Sequence, residues 1–490
     1  MTAALARRAG SALAWKAFQL AAVRGVLIIR TFVLARLLSP DDFGLLAIAV
    51  VAVGVLMSLS DIGMGPALVH HPDIDRAHYD SAWTIGILRA LAVTAVLIVA
   101  APTIATLFAE PRAVNVLRVL ALKPLIDAGS SIKTAELMRA LAYRRLAIVA
   151  FVTTTVETVV SIVLAFRFGV WALVLGALAG AAAGLAASYI AAPYRPRLVL
   201  VGNAVRPLVR YGRWLFLTGV VAMTASSLTQ IVISRRLGAV ELGLYFLAMK
   251  LAFFPYEFAG QVIKDVAFPM YARIQGEHAR VSKAFRAIFV GLATFLLPSY
   301  VLLIALAPWL VHDVLGARWT GTEPLIQILA LAGVVGLFGD TCGPLFQGLG
   351  RTRWILAVEF FQSGVVLALV WMLTTQHGVF GASLAWLIAI CSSQLLNLFL
   401  ARRLVDRPLA NAAVPVGAIA FASIVGAAVI TGAHAVMSGI NGLIGAAALG
   451  ASVTALIIWV CDVRFRLDIG RVLAETFPQL TELVGVARGR

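Results

Sequence analysis

Apolar runs of about 20 residues, long enough to cross a ~30 Å hydrocarbon layer, recur from one end of the sequence to the other and leave no stretch for a separate soluble domain. With 61% hydrophobic and 13% charged residues and a mean hydropathy of +0.96, the chain is more apolar than a soluble globular protein can usually be. The reading is an all-α polytopic membrane protein. About fourteen spans are predicted, at 12–38, 43–69, 82–108, 114–138, 146–166, 170–192, 213–236, 243–268, 285–311, 323–348, 354–375, 379–401, 411–432 and 440–461. Arg7 and Arg8 precede the first of them, as in a secretory signal. Its apolar part, however, continues past Leu38 without a short core and a clean small-residue cleavage site, so a retained first span is expected.

The net charge of +17 would suggest nucleic acid in a soluble protein, so its distribution decides its meaning. Segments that would face the cytoplasm carry Arg76, Arg139, Arg144, Arg145, Arg195, Arg197, Arg206, Arg210, Arg213, Arg273, Arg280, Lys283, Arg286, Arg351, Arg353, Arg402, Arg403 and Arg407 as well as Arg7 and Arg8. Outward segments carry mainly Arg36, Arg112, Arg167, Arg235, Arg236 and Arg318. With Arg464, Arg466, Arg471, Arg488 and Arg490 of the tail added on the cytoplasmic side, this bias of roughly four to one predicts cytoplasmic N and C termini. Topology and anionic lipid headgroups account for most of the basic charge, and no nucleic-acid partner is expected. Cys342, Cys391 and Cys461 lack the paired spacing of a zinc site or disulfide framework, and no two histidines share a helical face, so no metal site is expected.

The chain repeats itself. "ARLLSPDDFGLL" at 35–46 aligns with "SRRLGAVELGLY" at 234–245, setting Arg36 over Arg235, Leu38 over Leu237, Asp42 over Glu241 and Gly44 over Gly243. "LRVLAL" at 117–122 echoes "IQILAL" at 326–331, and "RFGVWAL" at 167–173 echoes "QHGVFGA" at 376–382. The pattern predicts two six-helix bundles, 1–193 and 213–403, joined by a basic cytoplasmic linker at 194–212. Because six is even, the halves would be parallel repeats about an axis along the membrane normal. Two accessory, lipid-facing helices at 411–461 and a cytoplasmic tail at 462–490 would complete the chain.

Ionised groups at membrane depth cost a few to ~10 kcal/mol or more, so they face water or one another. At ~100° per residue, Lys123, Asp127, Ser130 and Thr134 form a polar stripe on the fourth predicted span, with a kink expected at Pro124 and Gly129. Lys250, Glu257, Gln261 and Lys264 share a face of the eighth, beside Pro255, and Lys16, Gln19 and Arg30 share one on the first, with Arg24 to the side. Span three adds Arg89, while Asp61, Glu157, Asp340 and Glu359 place carboxylates in spans two, five, ten and eleven. Two readings stay open for each pair: an ion pair that holds helices together, or groups that line a wet cavity. Across the set, basic groups outnumber the acids near them, which favours a cationic cavity and an anionic visitor. The guanidinium fork suits phosphate or diphosphate, whereas an extruder of cationic drugs would want acidic or aromatic walls.

At "RLLSPDDFGLLAIA" (36–49) and "SDIGMGPALV" (60–69), with Glu110-Pro111, Leu117-Arg118-Val119-Leu120 and Tyr143-Arg144-Arg145-Leu146 further on, the sequence resembles the polysaccharide-transporter, or oligosaccharide flippase, branch of the multidrug/oligosaccharidyl-lipid/polysaccharide exporter superfamily. The short turn also has a local explanation: Pro40 and Gly44 fit a tight connection, and Asp41 and Asp42 can cap the next helix at its positive end. The resemblance implies two six-helix bundles around a central cavity, alternating access, and the bacterial cytoplasmic membrane. Its cargo would be an undecaprenyl-diphosphate-linked oligosaccharide, with membrane lipids, a polysaccharide polymerase and a chain-length regulator as partners.

The expected site is a cationic cavity built from Arg24, Arg30, Arg89, Lys123, Lys133, Lys250 and Lys264. Asp61, Asp127, Glu257 and Asp340 are candidates for coupling to a proton or sodium gradient, and no cofactor or catalytic residue is expected. The rivals are a lipid II flippase, suggested by the same span number, and a cation-coupled multidrug extruder, which the arginines disfavour. A multi-pass polymerase or glycosyltransferase ranks below these, because the predicted loops near 194–212 and 269–284 are short and carry no nucleotide-binding motif with an acidic pair.

Overall fold

The structure, a computed structural model, describes residues 22–60, 76–140, 142–199, 206–434, 436–437 and 439–465. All the regular elements among the described residues are helices, and ten are long and apolar enough to cross a membrane. In chain order they are α1 (22–37), α2 (Pro40–Ser60), α3 (Arg76–Leu107), α4 (Ala113–Leu120), α5 (Lys123–Ala128), α6 (Thr134–Arg139), α7 (Tyr143–Phe168) and α8 (Val170–Ala191). There follow α9 (Arg206–Leu237), α10 (Ala239–Ala252), α11 (Phe254–Arg273), α12 (His278–Trp309), α13 (Thr322–Gly348), α14 (Thr352–Ala401), α15 (Ala413–His434) and α16 (Gly439–Phe465). The chain divides into two compact units, Met1–Gly243 and Leu244–Arg490.

Two predicted spans differ from expectation. The fourth, 114–138, is three short helices, α4, α5 and α6, so the stripe drawn across it at constant angle does not exist as one face. Pro124 opens α5 because it cannot donate a hydrogen bond within a longer helix. Ser131 then leaves the helix: its N–H donates to Ser188 Oγ at 2.9 Å and its hydroxyl to the Ala192 carbonyl at 2.7 Å. The eighth, 243–268, divides at Phe253 with Pro255 in the first turn of α11, which puts Lys250 on a different helix from Glu257 and Lys264.

In the first unit, the turn into α2 is a reciprocal cap. Ser39 Oγ and its N–H both donate to Asp42 Oδ2, at 2.7 and 3.0 Å, and the Asp42 N–H donates to Ser39 Oγ at 3.3 Å, while Pro40 takes the first helical position. Asp41, free of the cap, pairs with Arg112 at 2.8 Å, and Arg112 also holds Glu110 at 2.6 Å. These bonds, first to Glu110 and then to Asp41, raise the Arg112 pKa. The repeated turns clasp one another: a Cβ on Gly44 would run into the carbonyl of Ala239, and one on Gly243 into that of Pro40. Pro40 aligns with Ala239 as Gly44 does with Gly243, so the contact is reciprocal. Between α7 and α8, Gly176, Gly180 and Gly184 lie against Ser161, Glu157 and Thr153, a small-residue row that lets two membrane helices pack at close range.

The second unit is cored by Tyr271, Phe285, Phe289, Tyr300, Phe338 and Phe346, with Phe338 edge-on to both Phe285 and Phe289. The 50-residue run of α14 is two helices joined at His377 and Gly378, as the separate spans 354–375 and 379–401 require. Gly378 has φ 58° and ψ −145°, and its repeat partner Gly169, between α7 and α8, has φ 53° and ψ −131°, a region essentially reserved for glycine. The last two helices are more than lipid-facing additions. α15 packs on α12, and Ile419 is fully buried within the aromatic core cluster. Outward faces elsewhere stay apolar, with Val99 80% and Ile190 82% exposed, as suits a lipid solvent.

Candidate functional site

Arg30 is the deepest of the expected cations. It is 9% exposed on α1, and its Nη1 meets Glu157 Oε1 of α7 at 2.5 Å. Glu157 lies beside Gly180 of α8, whose missing side chain makes room for it. Charge is thus present midway along the bilayer-length helix α7, and here it is balanced. Lys123 and Asp127 are likewise joined at 2.6 Å within α5, both half-exposed, and Lys133 meets Glu136 at 3.5 Å on α6. Turn-to-turn proximity explains both pairs: residues three or four apart on a helix face one another.

The other expected residues fall on several helices. Arg24 is half-buried on α1, six residues below Arg30 in sequence, and Arg89 of α3 donates to the Ser60 carbonyl at the end of α2 at 3.4 Å. Lys250 is exposed near the end of α10 and Glu257 is exposed on α11. Asp340 is half-buried on α13, within electrostatic reach of Tyr256 and Tyr300. Lys264 falls on α11 where backbone alone is described, and Asp61 lies outside the described residues, as do Lys16 and Gln19. Among the described residues no cluster of three or more His, Cys, Asp or Glu could hold a metal ion.

Lys133 belongs to a different place from Arg30: a cavity of about 560 Å³ in the first unit, lined by Arg76, Tyr79, Lys133, Glu136, Tyr189, Pro193, Tyr194 and Arg195. The start of α3, the α5–α6 segment and the strand of chain after α8 form its walls. The Tyr194 hydroxyl donates to Asp80 Oδ1, and Arg76 Nε approaches Asp80 Oδ2 at 3.7 Å. Burial, and then this bond, push the Tyr194 phenol well above its usual range. Tyr189 donates to the Gly129 carbonyl at 3.0 Å, and the exit segment is tied to α3 by Arg76 to the Arg195 carbonyl at 3.4 Å and by the Val199 N–H to Thr84 Oγ1 at 3.2 Å. Sequence reasoning treated the "YRPR" stretch at 194–197 as topological charge alone.

A helical chain with ten helices among the described residues that are long and apolar enough to cross a bilayer, and with a partly buried ion pair between two helices, defines a multi-pass membrane protein. The chain belongs to the polysaccharide biosynthesis protein family, whose model matches residues 33–324. It is 26% identical over 340 residues to the succinoglycan biosynthesis transport protein ExoT of Rhizobium meliloti (strain 1021), covering 69% of this chain and 68% of that protein. It is 22% identical to the lipopolysaccharide biosynthesis protein WzxC of Escherichia coli (strain K12), with 79% of each chain covered. In fold it is similar to the lipid II flippase MurJ in an inward closed conformation, at a TM-score of 0.70 and 15% identity over 91% of this chain and 97% of that one. An inward-facing multidrug resistance MATE transporter of the MOP superfamily follows at a TM-score of 0.60 and 15% identity, over 78% of this chain and 94% of that one. Of these, ExoT and the MATE protein are named as transporters, MurJ as a flippase and WzxC as a lipopolysaccharide biosynthesis protein; none is named as an enzyme.

Proposed function

We propose that this protein is a flippase that moves undecaprenyl-diphosphate-linked oligosaccharide from the cytoplasmic to the periplasmic leaflet of the bacterial cytoplasmic membrane by alternating access, supplying exopolysaccharide, capsule or O-antigen synthesis. In this reading about fourteen spans place both termini in the cytoplasm, and the two halves are parallel repeats. The observation that carries the reading is Arg30, a guanidinium held at membrane depth by Glu157. A fixed fork of donors is suited to a diphosphate, and a carboxylate partner can be exchanged for it as the headgroup enters. The sugar-polymer relatives support the class of cargo; the likeness to the lipid II flippase is one of fold and does not choose between cargoes. Arg24, Lys250, Arg89, Lys123 and Lys264 are the further cations of this reading. Asp127, Glu257, Asp340 and Asp61 are the carboxylates for coupling to a proton or sodium gradient. A polymerase and a chain-length regulator would take the delivered unit.

The test is flipping of a fluorescent undecaprenyl-diphosphate-linked saccharide by the full chain in proteoliposomes. Arg24→Gln, Arg30→Gln and Lys250→Gln should each abolish it. Arg30→Gln leaves a partly buried carboxylate without its partner, which costs less than the about 3–5 kcal/mol of a fully buried pair. The double change Arg30→Gln with Glu157→Gln restores the fold while transport stays lost. Full flipping by this double variant and by the other two single variants would remove the assignment.

A further inference from the structure

We propose that the cavity beneath Tyr194 is a binding site for a glycosyl phosphate or diphosphate, separate from the Arg30–Glu157 pair. Its volume of about 560 Å³ is that of a small-molecule site. Three observations specify the chemistry. First, the hydroxyls of Tyr189 and Tyr194 are engaged by the Gly129 carbonyl and Asp80, so both phenols that line the cavity are held in place. Together with Tyr79 they give aromatic faces suited to the C–H face of a sugar ring, which a bare phosphate site would not need. Second, three cations, Arg76, Lys133 and Arg195, line the same cavity, and no carboxylate among the described residues pairs with the Arg195 guanidinium. Third, the carboxylates are already occupied. Asp80 is taken by Tyr194 and Arg76, and Glu136 is half-exposed beside Lys133 at 3.5 Å, a separation long enough for the lysine to turn to a stronger acceptor.

The cavity lies where α3 begins and α8 ends, at helix termini, so a lipid tail could remain in the bilayer while the headgroup is held. The inference rests on the proposed function for its role, that of receiving the headgroup on the cytoplasmic side before translocation, and stands on its own as a binding site.

The experiment is ligand binding to the detergent-solubilised full chain by native mass spectrometry with three probes: a polyprenyl-diphosphate-linked hexose, the same polyprenyl diphosphate without sugar, and hexose 1-phosphate. The expected result is binding of the first tighter than the second, with Lys133→Gln plus Arg195→Gln weakening both by about tenfold or more. Tyr189→Leu should weaken the sugar-bearing probes alone, and Tyr189→Phe should bind as the parent does. Binding of hexose 1-phosphate as tight as the lipid-linked probe would assign the site to a soluble sugar phosphate and sustain the chemistry. Unchanged affinity in the Lys133, Arg195 double variant overturns the proposal, as does displacement of the sugar-bearing probe by an equal concentration of phosphatidylglycerol. Arg30→Gln with Glu157→Gln should keep this binding while losing transport. Transport without any probe bound to the cavity sinks the site and leaves the flippase reading; probe binding without transport by the parent chain does the reverse.

Discussion

Ser39, Asp42 and Gly44 show how a short motif can be read at the level of single atoms. The reciprocal bonds between Ser39 and Asp42 close the first turn of α2, and Ser39→Ala should cost about 1 kcal/mol, visible as a lowered melting temperature of the purified protein with transport per folded molecule unchanged. Asp41 behaves differently. Its partner Arg112 is more than half exposed, so Asp41→Asn should change stability by no more than about 1 kcal/mol. A much larger fall would mean that the Asp41–Arg112–Glu110 group carries a load its exposure does not suggest. The capping role of the acidic pair was legible in the sequence for Asp42. It was not for Asp41, because the bidentate partner lies 71 residues away and no spacing rule reaches that far.

At the scale of the helix, long uniform spans could be read from hydropathy and their interruptions could not. Predicted spans 146–166 and 170–192 match α7 and α8 because an unbroken apolar run leaves the backbone no better partner than itself. The 114–138 span failed for the opposite reason: Pro124 withholds a donor, and Ser131 finds partners at the end of α8 that only the folded chain supplies. The polar stripe went with it, and the pairing of Arg30 with Glu157 across α1 and α7 was not foreseen, since pairings between helices are invisible to a periodicity argument. The glycine row of α8 predicts a sharp result. Gly180→Leu would drive a branched side chain into Glu157 and should cost 1–3 kcal/mol by overpacking, on the order of the larger surplus-volume effects. It should also disturb the Arg30 pair, so that a thermal-shift assay and flipping fall together. Gly417→Leu on α15, where nothing lies within 4 Å of the added carbon, is the control that should leave both intact.

For the molecule as a whole, the internal duplication was the most informative sequence signal, and the matched backbone of Gly169 and Gly378 gives it a physical meaning. Each copy turns between consecutive helices through a conformation that other residues avoid. The terminal pair α15 and α16 was read as accessory because it lies outside the repeat, yet Ile419 is sealed in the second unit's aromatic core. Removing 411–490 should therefore lower the amount of folded protein in the membrane, measured by detergent-extracted monodisperse yield; undiminished yield would show that the core closes without α15. The cavity that Lys133 shares with Arg195 escaped the sequence because its walls come from three distant segments.

The meeting of Gly44 with Ala239 and of Gly243 with Pro40 is main chain against main chain, so no side chain can be traded to repair it. Enlarging either glycine to valine should force the turns apart. Divergent members of the family that keep this embrace must keep both glycines whatever sugar they carry, and a lineage that has lost one should have rebuilt the partner turn as well.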